Sequence, residues 1–238
     1  MLTLQGLLNV NVQRSAMARC TPKEVRRAAR RAVTIFRQHG MSSCLFGSLA
    51  CHIWGMTYRD PKDVDLIVLD NGWSDTEDLK ELLVGADDNF YLVPSRDPDA
   101  TYRVLHYMVG PGRSCKVDIL TTGNSTSLEL PPVPINEVIY VRPFNDLPVM
   151  HVLPLLLMKL QGWVDHRHSP KPYEQAKVRQ DVADIRAMLE IAIDQQVHVE
   201  DQEVDWMPYY FVGQMRNRVD EYIRRFPESQ QDWESLGM

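Results

Sequence analysis

The stretch "KDVDLIVLD", residues 62–70, most restricts what this chain can become. Its apolar run reads as a strand buried on both faces, the kind found in the middle of a sheet. Two aspartates, Asp63 and Asp65, stand at its head with Val64 between them. Strands disfavour aspartate, because a carboxylate packs poorly on a pleated surface and must stay solvated. At i and i+2 on a strand, both carboxylates leave the same face. Two like charges so close repel unless a cation lies between them. Hard oxygen donors at this spacing suit Mg²⁺ or Mn²⁺, which also bind phosphates. The alternative is a pair of solvated acids at a strand end.

Just upstream, "CLFGSLACHIW" at 44–54 reads as strand, Gly47-Ser48 turn and short helix. The first N–H groups of a helix are unpaired and carry partial positive charge, so a phosphate fits there. Glycine permits close approach to the backbone, and the Ser48 hydroxyl could donate a further hydrogen bond. Turns of this kind also occur with no ligand. A third carboxylate, Asp118, interrupts the apolar strand in "SCKVDILTT", with Lys116 on its face. If that strand lies beside the one beginning at Asp63, Asp118 joins the cluster. Three carboxylates can hold two divalent ions across an in-line phosphoryl displacement.

The rest of the chain frames these segments. Thr21-Pro22-Lys23-Glu24 reads as a capped helix start, and Gly40 as its stop, with Val25, Ala29, Ala32 and Phe36 as the core stripe. Ser74 is expected to open a further helix running to about residue 84. Strands are expected near 91–93, 102–109 and 115–120, with weaker ones near Ile139 and Val149. Pro111-Gly112 is expected to turn a hairpin. After Pro148 the pattern becomes helical, with expected helices over 152–164, 173–194 and within 206–226. We therefore read a leader at 1–20, an α/β part at 21–147 and an α-helical part at 148–238. The first helix carries Arg26, Arg27, Arg30, Arg31 and Arg37, a face that could meet RNA or an acidic partner, or be merely solvated.

The 238-residue chain has a net charge of −6, which argues against a surface given over wholly to nucleic acid. Its four cysteines show no CxxC spacing, and Cys44 and Cys115 read as buried, reduced thiols. No apolar run reaches the ~18 residues of a membrane span, and the first residues make a poor signal peptide. A cytoplasmic chain is the expectation.

Taken together, "FGSLA", "DVD" and "KVDIL" resemble the nucleotidyltransferase superfamily of the DNA polymerase β type. "YRDPKDVDL" looks like the branch that includes toxin–antitoxin and antibiotic-modifying nucleotidyltransferases, with Pro61 where that branch often has threonine. "LPVMHVLPLLLMKLQGWVDHR" and "KVRQDVADI" are similar to the same branch's helical region. The resemblance covers about residues 42–190. It implies an α/β (α+β) fold, a mixed sheet followed by a helical domain. It also implies transfer of a nucleoside monophosphate from an NTP, ATP foremost, to a hydroxyl acceptor with release of pyrophosphate. Gly47 and Ser48 would hold the triphosphate, and Asp63, Asp65 and Asp118 would bind Mg²⁺ or Mn²⁺. Asp118 would also help deprotonate the acceptor. Arg59 and Lys62 could neutralise the triphosphate or be solvated loop cations. Lys159, a cation in an apolar helix, would contact phosphate or reach outward to solvent. Asp181 and Asp184 are expected in a structural ion-pair network with Lys177. The acceptor would be a small molecule or protein; nucleic acid is possible but not favoured, and a membrane is not expected. The alternatives are a catalytically silent nucleotide-binding or interaction module of this fold, and an RNA 3′-end nucleotidyltransferase.

Overall fold

The computed structural model describes residues 19–69, 75–95, 101–122 and 131–238. Residues 1–18, and with them nearly all of the expected leader, lie outside the described residues. Helix α1 (Pro22–Gln38) begins as its sequence dictates. Thr21 accepts a hydrogen bond from the Glu24 N–H, and the Glu24 carboxylate accepts from the Thr21 N–H. Gly40, at φ +76°, takes the chain out of the helix in the left-handed conformation that glycine tolerates. Val25, Ala29, Ala32 and Phe36 are fully buried.

The sheet is built from β1 (Ser43–Phe46), β2 (Asp63–Val68), β3 (Phe90–Pro94), β4 (Arg103–Gly110), β5 (Arg113–Thr121), β6 (Ile139–Tyr140) and β7 (Pro148–Val149). Its order is β3-β4-β5-β2-β1-β7-β6. It is mixed: β2 runs parallel to β5 and β1 parallel to β7, while the other neighbours are antiparallel. Strands β4 and β5 form the hairpin that Pro111-Gly112 turns. Helix α2 (Gly47–Trp54) follows β1 directly, and α3 (Thr76–Ala86) follows β2. Helix α3 starts later than expected. Asp75, rather than Ser74, is its N-cap and accepts from the Glu77 N–H; Ser74 lies outside the described residues.

Helices α4 (Val152–His168), α5 (Pro172–Gln175), α6 (Val178–Asp194), α7 (Tyr209–Arg225) and α8 (Gln230–Ser235) complete the chain. Two boundaries differ from expectation. Helix α4 runs on through the polar residues 165–168, which carry no glycine or proline to stop it. The helix expected over 173–194 is broken at Ala176-Lys177, where the Lys177 N–H bonds back only three residues, to the Glu174 carbonyl. Helix α7 falls within the expected 206–226, with Pro208 at its N-cap. Trp163 of α4, Tyr222 of α7 and Trp233 of α8 form an edge-to-face aromatic core.

Strand β7 lies just past residue 147, where the sequence reading ends the α/β part, so the chain enters α4 straight from the sheet. The arginines of α1 are largely engaged within the chain. Arg27 donates to the Val109 carbonyl, Arg30 pairs with Asp146, Arg31 pairs with Asp87, and Arg26 lies over the Phe144 ring at 4.8 Å. All four cysteines are free thiols, with Cys44, Cys51 and Cys115 buried. Among the described residues, no helix is long and apolar enough to cross a membrane.

Candidate active site

Strand register decides where the acids stand. In the parallel pair β2–β5, Asp65 lies opposite Asp118 and Asp63 opposite Lys116. Adjacent strands are about 4.8 Å apart, so Asp65 and Asp118 are direct neighbours. Val64 and Val117 point the other way into the core and are fully buried. The interrupted strand therefore does lie beside the one that carries the pair.

Gly47 fits against this cluster. Phe46 at the end of β1 pairs with Asp65, and the chain turns into α2 through Gly47 at φ +64°. A Cβ at this position would lie 2.7 Å from Asp65 Cγ. The glycine thus makes room for the carboxylate as well as for the turn. Ser48 is buried at 7% exposure, and its hydroxyl donates to Asp63 Oδ1 at 3.3 Å. Sequence reasoning directed that hydroxyl at a phosphate; in the structure it supports an aspartate. Among the described residues, no side chain caps the N-terminus of α2.

The opposite wall comes from α4 and α6. Asp184 on α6 is 1% exposed and accepts hydrogen bonds from Arg59 Nε and Nη2, at 2.8 and 2.6 Å. It also accepts from Lys159 Nζ at 2.8 Å and from the Tyr58 hydroxyl. Burial works to raise its pKa, but Arg59, Lys159 and Tyr58 outweigh burial and bring it down to about 2. The expected network is therefore present with other partners. Lys177 is not the cation on Asp184; its Nζ lies 3.5 Å from His166 Nε2, and His166 Nδ1 is 2.8 Å from Asp181. Arg59 and Lys159 share one carboxylate, which leaves the trio a single net positive charge.

Both walls enclose one cavity of about 610 Å³, lined by all eight candidates: Gly47, Ser48, Arg59, Lys62, Asp63, Asp65, Asp118 and Lys159. Lys62 is exposed at its rim. His166, Gln161 and Asp181 also line it, and the sequence reading gave none of these a place in the site. The one available signal was the i, i+3 spacing of Asp181 and Asp184, which puts both on one helix face.

Loss of solvation raises the Asp65 pKa above the ordinary carboxylate range, and the charges of Asp63 and Asp118 raise it further. A cation would relieve that repulsion, and the donors are the hard oxygens that Mg²⁺ and Mn²⁺ take, so by donor type the cluster fits such an ion. Asp118 is turned toward Lys116 Nζ, at 2.6 Å, and Asp63 toward Ser48. As placed, no group of three or more His, Cys, Asp or Glu side chains among the described residues closes around a metal position.

No family model matches the sequence, and no curated protein matches it significantly. Among solved structures, an antigenic nucleotidyltransferase-like protein from Paracoccidioides brasiliensis superposes with a TM-score of 0.63. The match covers 92% of this chain and 95% of that one at 13% identity. ANT(2″)-Ia in complex with adenylyl-2″-tobramycin aligns over 84% of this chain and 99% of that one at 11% identity, with a TM-score of 0.42. The sheet, its helices and the Paracoccidioides likeness together show that this chain has the nucleotidyltransferase-like fold.

Proposed function

We propose that the protein is a metal-dependent nucleotidyltransferase that moves a nucleoside monophosphate from an NTP to a hydroxyl group and releases pyrophosphate. One observation carries the reading: Asp63, Asp65 and Asp118 meet on adjacent parallel strands beside the Gly47 turn, inside a single cavity. The uncapped start of α2 offers backbone N–H groups to the triphosphate. Asp63, Asp65 and Asp118 would hold Mg²⁺ or Mn²⁺, which when bound polarises the reacting phosphate and neutralises the departing pyrophosphate. Arg59 and Lys159, oriented by Asp184, present their net positive charge to the phosphates, and Lys62 adds another at the rim. The acceptor oxygen bonds to the α-phosphorus, the bond to the bridging oxygen breaks, and Asp118 takes the hydroxyl proton. Positioning and fixed charge supply most of the rate enhancement.

Engagement of the α1 arginines within the chain supports a small-molecule or protein hydroxyl over a nucleic-acid acceptor. The test is incubation with each α-labelled NTP, Mg²⁺ or Mn²⁺ and cell extract. Label is expected on an acceptor with the wild type, and lost in the Asp63→Asn, Asp65→Asn double variant. NTP binding without label transfer under any condition would replace the enzyme with a silent nucleotide-binding module.

A further inference from the structure

We propose that Lys116 is an internal counter-cation that competes with a divalent cation for Asp118. The proposal rests on the metal-dependent reading of the site. Lys116 and Asp118 are two apart on β5 and so share a face. The register sets Lys116 beside Asp63, and Asp118 beside Asp65. One ammonium thus stands at a corner of a four-residue patch whose other corners are carboxylates. Its Nζ is 2.6 Å from Asp118 Oδ2.

An isolated surface ion pair with side chains 45% and 36% exposed contributes little to stability. This one is different because the ammonium faces three acids. Its strand position sets it beside Asp63 on β2 as well as on the face of Asp118, with Asp65 at the diagonal corner. Lys116 therefore relieves part of the repulsion that a bound cation would relieve, and it does so by holding the carboxylate that such a cation needs. Once released, its four-carbon stem leaves it free to swing toward the phosphates that the cation brings. Lys116 acts through Asp118 and is a positioning residue.

The probe is Mn²⁺ alone, with affinity read by electron paramagnetic resonance of the free ion and by calorimetry, so no acceptor or turnover is required. Circular dichroism checks that each variant is folded. Lys116→Gln removes the charge, Lys116→Ala serves as a second charge-removing variant, and Lys116→Arg keeps the charge. Loss of a positive charge a few ångströms from a divalent ion is expected to tighten Mn²⁺ binding about tenfold in the first two. The Arg variant is expected to stay within about twofold of wild type. Unchanged or weaker binding in the Gln and Ala variants, with binding still abolished by Asp63→Asn, Asp65→Asn, overturns the role of Lys116 and leaves the cation site standing. Absence of Mn²⁺ binding in the wild type and every variant overturns both readings together.

Discussion

Gly47 carries two requirements that one residue type can meet. Its backbone sits at φ +64°, and the space where a Cβ would go belongs to the Asp65 carboxylate. Gly47→Ala is therefore expected to cost about 1–3 kcal/mol through backbone strain and displacement of Asp65. It should weaken Mn²⁺ and NTP binding in the same variant. Urea unfolding and calorimetric titration measure the two effects separately; a folded variant with unchanged affinities would remove Gly47 from the site. At Asp184 the test is pH. Its folded pKa of about 2 lies below the ordinary value near 4, so ionised Asp184 contributes stability that is fully present above about pH 4. That contribution, about 2 kcal/mol, is lost as pH falls through about 2. Asp184→Asn leaves Arg59 and Lys159 without their carboxylate and is expected to cost about 3–5 kcal/mol at neutral pH. The gap between wild type and variant in urea midpoints should be constant above about pH 4 and narrow toward pH 2. A gap that does not change over this range would place the stabilisation elsewhere.

At the scale of elements, the sequence made one wall of the cleft legible and hid the other. Strands β2 and β5 each announce themselves by a carboxylate in an apolar run, and Gly47-Ser48 by punctuating strand and helix. Local alternation then decides which face the acids take, so their convergence needed just one further fact, that the strands are neighbours. The α4–α6 wall follows no such local rule. Arg59 finds Asp184 across 125 positions, and Lys159 finds it across 25. That Asp184 takes Arg59 and Lys159 rather than the nearer Lys177 is decided by how α4 packs on α6, which spacing does not encode. Helix ends were legible where caps are strong, as at Thr21, and were missed where a neighbouring acid takes the cap, as at Asp75. The fully engaged Asp184 predicts that α4, α6 and the Tyr58–Arg59 loop open together. In hydrogen exchange, amides of α6 near Asp184 should lose protection in Asp184→Asn together with those of α4 near Lys159.

For the whole molecule, a ligand that bridges both walls of the cleft should raise the stability of the entire fold. At about 100 times its dissociation constant, Mn²⁺ with a non-hydrolysable NTP adds about 2.7 kcal/mol. For a chain of this size that is a rise of about 5–10 °C in melting temperature. The Asp63→Asn, Asp65→Asn variant should lose most of the metal-dependent rise, yet melt at or above the ligand-free wild type because mutual repulsion is gone. Equal rises in the two proteins would show that the metal acts elsewhere. The chain beyond residue 147 also covers one side of β1. The four residues of β1 are all buried, with β2 on one side and, on the other, β7 at the Leu45–Val149 pair; the Met150 N–H donates to the Leu45 carbonyl at 2.9 Å. Truncation after residue 147 would strip that side away and leave an apolar strand with unpaired backbone groups facing water. Such an edge templates pairing with other copies of itself, so the shortened chain should elute as large, ill-defined aggregates in size-exclusion chromatography, while one ending at 150 should aggregate less.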